Sequence, residues 1–402
     1  MLARVLLIER APGEYRAALL HGDETVQIDH YRDHAPTLEG AVFHGRVRRV
    51  EPGLSAAFID LDGHREGFLR ARAIAGRPRG APIASLVQEG AAVVVRVLSE
   101  AVGDGDKLPR VGTLAADALA ALQMQGPLPS APACIDAGAP PLVRILVEHA
   151  DSVDRIVCTD GPSLRSARAW LEAKGIAAAI DQETGSLFEA YGVEATLEAA
   201  LAQVVALPGG GNLIFEPGAT LCAIDVNSGD RMGAAGQAAR EANLAAVPVI
   251  ARQIRLREIA GAIVVDFLKL DRPADRDVLV VAMRTALADD PASCHVLGVS
   301  RLGLVELTRQ RRRPSLSERL LRPAAAPMPR PDTIALMILR DLAARSRRGG
   351  GRFLVRTAPD VVDLLQGTMA PALAESAAWS HAVVELSADG TMTTGRYRVD
   401  EP

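Results

Sequence analysis

The stretch TLCAIDVNSG at 220–229, followed by AIVVDFLKL at 262–270, decides how this chain is read. Each is an apolar run reaching a carboxylate, Asp225 in the first and Asp266 in the second. Side chains alternate across a strand, so Asp225 and Asn227, two apart, share one face. Apolar spacing over 236–260 predicts a helix between the two strands. A helical crossover sets the strands it joins in parallel, with their C-terminal ends at one edge of the sheet. Two carboxylates and one amide oxygen then converge. Pro248 falls inside the helix, where the missing N–H costs about 3 kcal/mol, so a kink or a break is expected there.

An all-oxygen donor set with room for water suits Mg²⁺, with Mn²⁺ as a substitute, because that ion keeps octahedral geometry and surrenders water reluctantly. Such an ion polarises a phosphoryl oxygen and lowers the pKa of a water, which is the chemistry of phosphodiester hydrolysis without a histidine base. None of the eight histidines sits in a recognisable acid–base pair. Taken alone, an aspartate at a strand end is more often a turn former or a helix cap than a catalyst.

Working outward, strands at 213–216, 219–227, 262–269, 293–300 and 303–307 alternate with helices at 236–260 and 274–288. LPGGGN at 207–212 lacks the GK[ST] of a phosphate loop and reads as a flexible turn. Upstream, PLVRILVEH, DRIVCTD, a helix over SLRSARAWLEAKG, IAAAIDQ and a helix over YGVEATLEAALAQVV give an α/β layer, with Ser163 as a helix cap and Gly175 as its stop. At the N-terminus, RVLLIE, YRAALL and TVQI, broken by Pro12-Gly13 and His21-Gly22-Asp23, read as a small meander. Short alternating strands over 40–70 and 91–100 suit an OB-type barrel. Residues 101–141, rich in Ala, Gly and Pro with one helical stretch at 114–123, read as a shortened insertion or linker. RPAAAPMPRP at 322–331 reads as a second linker before a helix at 332–347 and further strand and helix signals.

At 402 residues the chain exceeds one ordinary core, and 49% hydrophobic with 3% aromatic residues describes a soluble, folded multidomain protein. A net charge of −4 excludes a general polycation that coats nucleic acid, yet it hides clusters at Arg46, Arg48, Arg49 and at Arg309, Arg311, Arg312, Arg313. The opening apolar run is too short for a secretory core or a membrane span. Cys134, Cys158, Cys222 and Cys294 form no CxxC pair, so neither a zinc knuckle nor a disulfide framework is indicated, and a reducing cytoplasm is the expected home.

Three segments in order, GNLIFEPGATLCAIDVNSG, EANLAAVPVIARQIRLREIAGAIVVDF and GVSRLGLVELTRQRRRPSLSE, closely resemble the catalytic region of the ribonuclease E/G family. EGAVFHGRVRRVEPGLSAAFIDLDGHREGFLRARAI resembles that family's S1-type RNA-binding barrel, SLFEAYGVEATLEAALAQVVALPGGG the helix entering its catalytic module, and RDLAARSRRGGGRFLVRTAPDVVDLL its small C-terminal domain. The resemblance implies an RNase H-like layer at 1–35 plus 142–207, an inserted S1-type OB barrel at 36–100 and a remnant of a 5′-end sensor or linker at 101–141. It further implies a DNase I-like catalytic domain at 208–321, a linker at 322–331 and a small α/β domain at 332–402.

The resemblance also implies that Asp225, Asn227 and Asp266 hold magnesium, that Phe58 and Phe68 are the barrel's exposed aromatics, and that the substrate is single-stranded RNA. The family's Arg-Thr pocket for a 5′-monophosphate has no counterpart in 101–141, where Lys107 and Arg110 are the cations. Its CPxCxGxG zinc link is replaced by RPAAAPMPRP, so no zinc is expected and any homo-oligomer is not bridged by zinc.

By alternation alone, Phe58 and Phe68 fit the core as well as an RNA-stacking surface. Arg252 and Arg255, three apart on a helix, and Arg309, Arg311 and Arg312 are candidate phosphate contacts, although a charge run is by itself more often a solvated patch. Competing with a magnesium-dependent endoribonuclease leaving 5′-phosphate and 3′-hydroxyl ends are an RNA-binding protein without catalysis and a metal-dependent DNase.

Overall fold

A computed structural model of the chain describes residues 3–100, 108–124, 126–218, 220–229, 235–322, 328–346, 351–392 and 395–401. Two compact units are present, Ala35–Arg144 and the remainder formed by Met1–His34 with Ile145–Pro402. Lys107 lies outside the described residues.

The chain begins with the predicted meander, β1 (Arg4–Ala11), β2 (Glu14–His21) and β3 (Glu24–Arg32), paired antiparallel across turns whose glycines, Gly13 and Gly22, take positive φ. The inserted unit follows: β4 (Val42–Glu51), β5 (Ala56–Asp60), β6 (Glu66–Arg70), β7 (Ala92–Ser99), β8 (Arg110–Thr113), α1 (Ala116–Gln123) and β9 (Ala133–Asp136). The order β5-β6-β8-β7-β4 closes by pairing β4 with β5, giving a five-stranded barrel, and β9 adds to the outer side of β4. This closed barrel is consistent with an S1-like OB fold. Its core is Phe43, Val47, Ile59, Leu61, Leu69, Val95, Val97 and Val111.

Part of the stretch 101–141, expected as insertion or linker, belongs to the barrel. Arg110–Thr113 is a barrel strand, paired antiparallel with β7 and parallel with β6. Four residues are too few to announce a strand by periodicity; Val111, buried in the barrel, is the one strong apolar anchor.

The chain continues with α2 (Pro141–His149), so PLVRILVEH, expected as the first strand of the α/β layer, is a helix; β10 (Arg155–Cys158), α3 (Gly161–Lys174), β11 (Ala179–Gln182), α4 (Leu187–Ala190), α5 (Val193–Leu201) and β12 (Val204–Ala206) follow. Strands β10 and β11 extend the first sheet in the order β11-β10-β1-β2-β3, with β1, β10 and β11 parallel. Helix α3 is capped by Asp160, which accepts from the Ser163 N–H, so Ser163 is not the cap expected; Gly175 ends the helix in the left-handed region as expected.

A second sheet follows: β13 (Asn212–Pro217), β14 (Leu221–Asn227), α6 (Ala235–Leu256), β15 (Gly261–Asp266), α7 (Pro273–Ala286), β16 (Cys294–Val299) and β17 (Val305–Arg309), in the order β12-β13-β14-β15-β17-β16. Pro248 does not break α6, which runs through it as one helix of 22 residues. Val247, Ile250 and Ile254 are buried against the sheet around it. Burying each is worth about 1.5–3 kcal/mol, enough together to offset the bond that the proline removes.

After α8 (Leu316–Leu320), opened by a Ser315–Glu318 capping box, comes α9 (Pro331–Ser346) and a three-stranded sheet in which Arg352–Thr357 lies between Val383–Ala388 and Tyr397–Asp400. This region packs its own core from Ile334, Leu339, Phe353, Val355, Val361 and Leu365. No helix among the described residues is long and apolar enough to cross a membrane.

Candidate metal centre and nucleic-acid interface

Strand β14 buries Cys222, Ile224 and Val226, leaving Ala223, Asp225 and Asn227 on the opposite face, half-buried. Strand β15 likewise buries Ile263 and Val265 and leaves Asp266 exposed at its end. The two strands pair in parallel, and Asp225 and Asp266 are direct register partners. Adjacent strands lie about 4.8 Å apart, within reach of one ion for two carboxylates. Asn227 donates through Nδ2 to Asp225 Oδ2 at 2.8 Å and to Asn212 Oδ1 at 3.3 Å. A carboxylate only accepts, so this bond fixes the amide's orientation and leaves Asn227 Oδ1 as the atom able to meet a cation. The donor set is therefore oxygen throughout and fits Mg²⁺ or Mn²⁺.

The glycine-rich turn before β13 packs on the end of β14 beside Asn227. Gly211, at φ 85°, lies so near the end of β14 that a Cβ on it would sit 2.2 Å from the Asn227 carbonyl oxygen. Gly229, at φ 61°, packs back on Gly211 in the same way. LPGGGN is thus a close backbone approach rather than a flexible turn. Nothing in the sequence distinguishes these two uses of a glycine run.

Among the described residues, Asp29, Glu148 and His149 are also grouped closely enough to hold an ion, with ligand atoms within 4.8 Å. That cluster already has its cation. Arg313 bonds both Asp29 and Glu148, and its Nε lies 3.2 Å from Glu258. Burial opposes the Asp29 charge, but Arg313 and His149 outweigh it and hold the carboxyl below the usual range.

The arginines expected on RNA divide sharply. The Arg309 side chain is fully buried, bonded to Glu258 at 2.8 Å and to Asp290 at 3.0 Å, and is a structural ion pair rather than a phosphate contact. Burial disfavours its charge, yet the two carboxylates raise its pKa. Arg252 bonds the Thr25 carbonyl and Arg255 the Gln27 side chain, so both tie α6 to β3 instead of facing solvent freely. Burial lowers the Arg255 pKa. Arg311 and Arg312 retain partial exposure, near Glu318 and Glu148 respectively.

In the barrel unit, Phe58 and Phe68 are register partners on β5 and β6, half-buried and alternating with the core residues Ala57, Ile59 and Leu69. They face outward, with ring centroids 5.5 Å apart in an edge arrangement. The register carries the row further: Arg49 on β4 pairs with Phe58, and Arg110 on β8 with Phe68. The Arg49 guanidinium lies 4.4 Å from the Phe58 ring and that of Arg70 lies 5.6 Å from Phe68. Cation, aromatic, aromatic, cation in one cross-strand line can stack bases and contact phosphates together. Neighbouring Arg46 and Arg48 are otherwise engaged, with the Gly90 and Ala131 carbonyls and with Asp60.

A groove of about 440 Å³ between α7 and β16 is lined by Arg276, Arg284 and Val281 among others, and none of Asp225, Asn227 or Asp266 lines it. Arg276 and Arg284 there bond the Leu270 and Val296 carbonyls.

Comparison with known proteins adds an independent finding. The model of the ribonuclease E/G family matches residues 80–312. Ribonuclease G of Escherichia coli (strain K12) is 25% identical over 461 residues, covering 92% of this chain and 94% of that protein. Ribonuclease E of the same strain is 27% identical over 401 residues, covering 79% of this chain and 38% of that protein. Ribonuclease E of Nostoc sp. is 32% identical over 208 residues, covering 49% of this chain and 30% of that protein. The chain thus spans well under half of the ribonuclease E proteins it matches.

Proposed function

Because the chain belongs to the ribonuclease E/G family, we propose that it is an endoribonuclease of RNA processing or decay, cutting single-stranded RNA at a divalent-metal site formed by Asp225, Asn227 and Asp266. The observation that carries this reading is the in-register pairing of Asp225 with Asp266, beside an amide whose nitrogen is already committed. Mg²⁺ or Mn²⁺ bound there supplies Lewis-acid polarisation of a phosphoryl oxygen and a water of lowered pKa. Asp225 and Asp266 contribute the charge, Asn227 contributes Oδ1, and the Gly211–Gly229 contact holds the end of β14 in place. Hydrolysis by water leaves 5′-phosphate and 3′-hydroxyl ends.

Phe58 and Phe68, with Arg49 and Arg110, hold the RNA by stacking and phosphate contact, a mode that tolerates many sequences. Arg252, Arg255, Arg311 and Arg312 remain candidate phosphate contacts; Arg309, buried on Glu258 and Asp290, does not. We assign an RNase H-like role to the sheet β11-β10-β1-β2-β3, an S1-type role to the barrel and a DNase I-like role to the sheet carrying the carboxylates. Zinc takes no part in this reading, because Cys134, Cys158, Cys222 and Cys294 lack the spacing of a tetrahedral site. The same reading takes the protein to be cytoplasmic and any homo-oligomer to form without a zinc bridge.

The deciding experiment offers matched RNA and DNA oligonucleotides with Mg²⁺, with and without EDTA, to the parent chain and to Asp225→Asn and Asp266→Asn. Cleavage of RNA that needs the ion and is lost in both variants, with RNA binding retained, is expected. Products with 2′,3′-cyclic phosphates, or cutting undiminished in EDTA, would refute it.

A further inference from the structure

Helix α6 presents Asn243, Ala246, Val247, Ile250 and Ile254 to the interior, positions three and four apart that form its core stripe. Asn243 is fully buried in that stripe. Asparagine is a poor mid-helix residue, and a buried amide without partners is costly, so its hydrogen bonds must account for its place. They do. Nδ2 donates to the Leu268 carbonyl at 2.8 Å, and Oδ1 accepts from the Leu268 N–H at 3.0 Å. One side chain thereby satisfies both backbone groups of one residue, as a neighbouring strand would.

Leu268 lies two residues beyond Asp266, where the ladder has ended: β15 stops at Asp266 and its pairing with β17 at Val265. Phe267 and Leu270 bury their side chains on either side of it, but apolar burial is non-directional and does not fix the rotation of the backbone between them. The amide clamp does. Helix α6 is also the connection from β14 to β15, so this one bond pair ties the crossover to the chain leaving the second carboxylate.

We infer that Asn243 is a positioning residue for the carboxylate pair: it holds the backbone after Asp266 so that Asp266 meets the ion at the spacing set by Asp225. This rests on the reading of Asp225, Asn227 and Asp266 as the metal site. Asn243 touches neither ion nor RNA.

The test is direct Mn²⁺ binding to the full chain without RNA, by water-proton relaxation, for the parent, Asn243→Ala, Asn243→Ser, Asp225→Asn and Asp266→Asn, with folding checked by circular dichroism. Asn243→Ala is expected to stay folded and to weaken Mn²⁺ by about tenfold or more, the usual scale for losing a group that orients a ligand. Asn243→Ser, which keeps one polar atom, should fall between it and the parent. In cleavage assays kcat should drop while KM for RNA holds within about twofold, and added metal should restore the rate. Parent-like Mn²⁺ binding by folded Asn243→Ala, with binding lost in both aspartate variants, would overturn the inference and leave the site reading standing. Parent-like binding in all variants would overturn both. Failure of both Asn243 variants to fold would make Asn243 a core residue only and also overturn the inference.

Discussion

The barrel face and the run TRQRRRPS are both arginine-rich, yet the structure puts their guanidinium groups to opposite uses. On the barrel, Arg49 and Arg110 are exposed beside two half-buried rings, and Arg49 meets the partly exposed Glu51 at 3.3 Å. Such a surface pair contributes little, so Arg49 remains available to a ligand. In the run, Arg309 and Arg313 turn inward onto Glu258, Asp290, Asp29 and Glu148, carboxylates delivered by α2, β3 and the loops after α6 and α7. The difference teaches that an arginine's role is set by the acidic groups other segments bring to it, not by how many arginines stand beside it.

The largest test of that contrast is stability. Arg309→Ala strands the buried Asp290 carboxylate, leaves Glu258 with Arg313 alone, and should cost about 3–5 kcal/mol in urea unfolding, against less than about 1 kcal/mol for Arg49→Ala. Equal costs would erase the distinction between the two regions.

Burial acts on a histidine in the same unit as the run. His30 is buried, its Nδ1 3.8 Å from Glu14 Oε2, and burial pulls its pKa from 6.5 down to about 4, with Glu14 opposing only in part. Burial opposes the Glu14 charge, but Arg340, His30 and Arg16 outweigh it and hold that carboxyl low. The sign follows from proton counting: the unfolded chain binds a proton at His30 first, so stability present above pH 6.5 is lost as pH falls toward about 4. The loss should be on the order of 3 kcal/mol at most, read as a melting temperature that declines across this window. His30→Gln should flatten the decline; an unchanged slope in that variant would remove His30 from the account.

On the barrel side, Phe58→Ala and Phe68→Ala should each weaken binding of a single-stranded RNA by about 1–3 kcal/mol in a titration, with little change in unfolding midpoint. A large stability loss without a binding loss would return the two rings to the core. The smallest effect is in salt dependence. Arg49→Ala and Arg110→Ala should each lower the slope of log affinity against log salt by about 0.7, the value for one phosphate on a single strand, while Arg311→Ala provides the comparison from the run. A slope unmoved by Arg49 or Arg110 would detach them from the RNA.

Much of the fold was legible beforehand because local periodicity is a strong signal. Alternation in LCAIDVN put Asp225 and Asn227 on one face, and a helix between two apolar runs implied parallel strands ending together; β14 and β15 pair in that manner. Four features were not legible. Arg110–Thr113 is too short to show a period, and its membership in the barrel comes from partners at Phe68 and Val97. Pro248 carries a local cost that only the apolar packing of α6 offsets. Asp160, not Ser163, caps α3, a shift of three residues within a stretch where either side chain suits a cap. Arg309 looks the same in sequence as Arg311, since nothing near it names Glu258 or Asp290 as its counter-charges.

The sequence by itself determined what depends on neighbours along the chain: strand faces, the crossover and the carboxylates at strand ends. Tertiary structure alone decided what depends on neighbours across it. It turned Phe58 and Phe68 outward, set Arg49 and Arg110 beside them, packed Gly211 on the Asn227 carbonyl and placed Asn243 on the backbone of Leu268. The physical reason is range. Backbone geometry repeats every two or 3.6 residues and can be read in a short window, whereas desolvation and hydrogen-bond satisfaction are settled between groups that no such window contains.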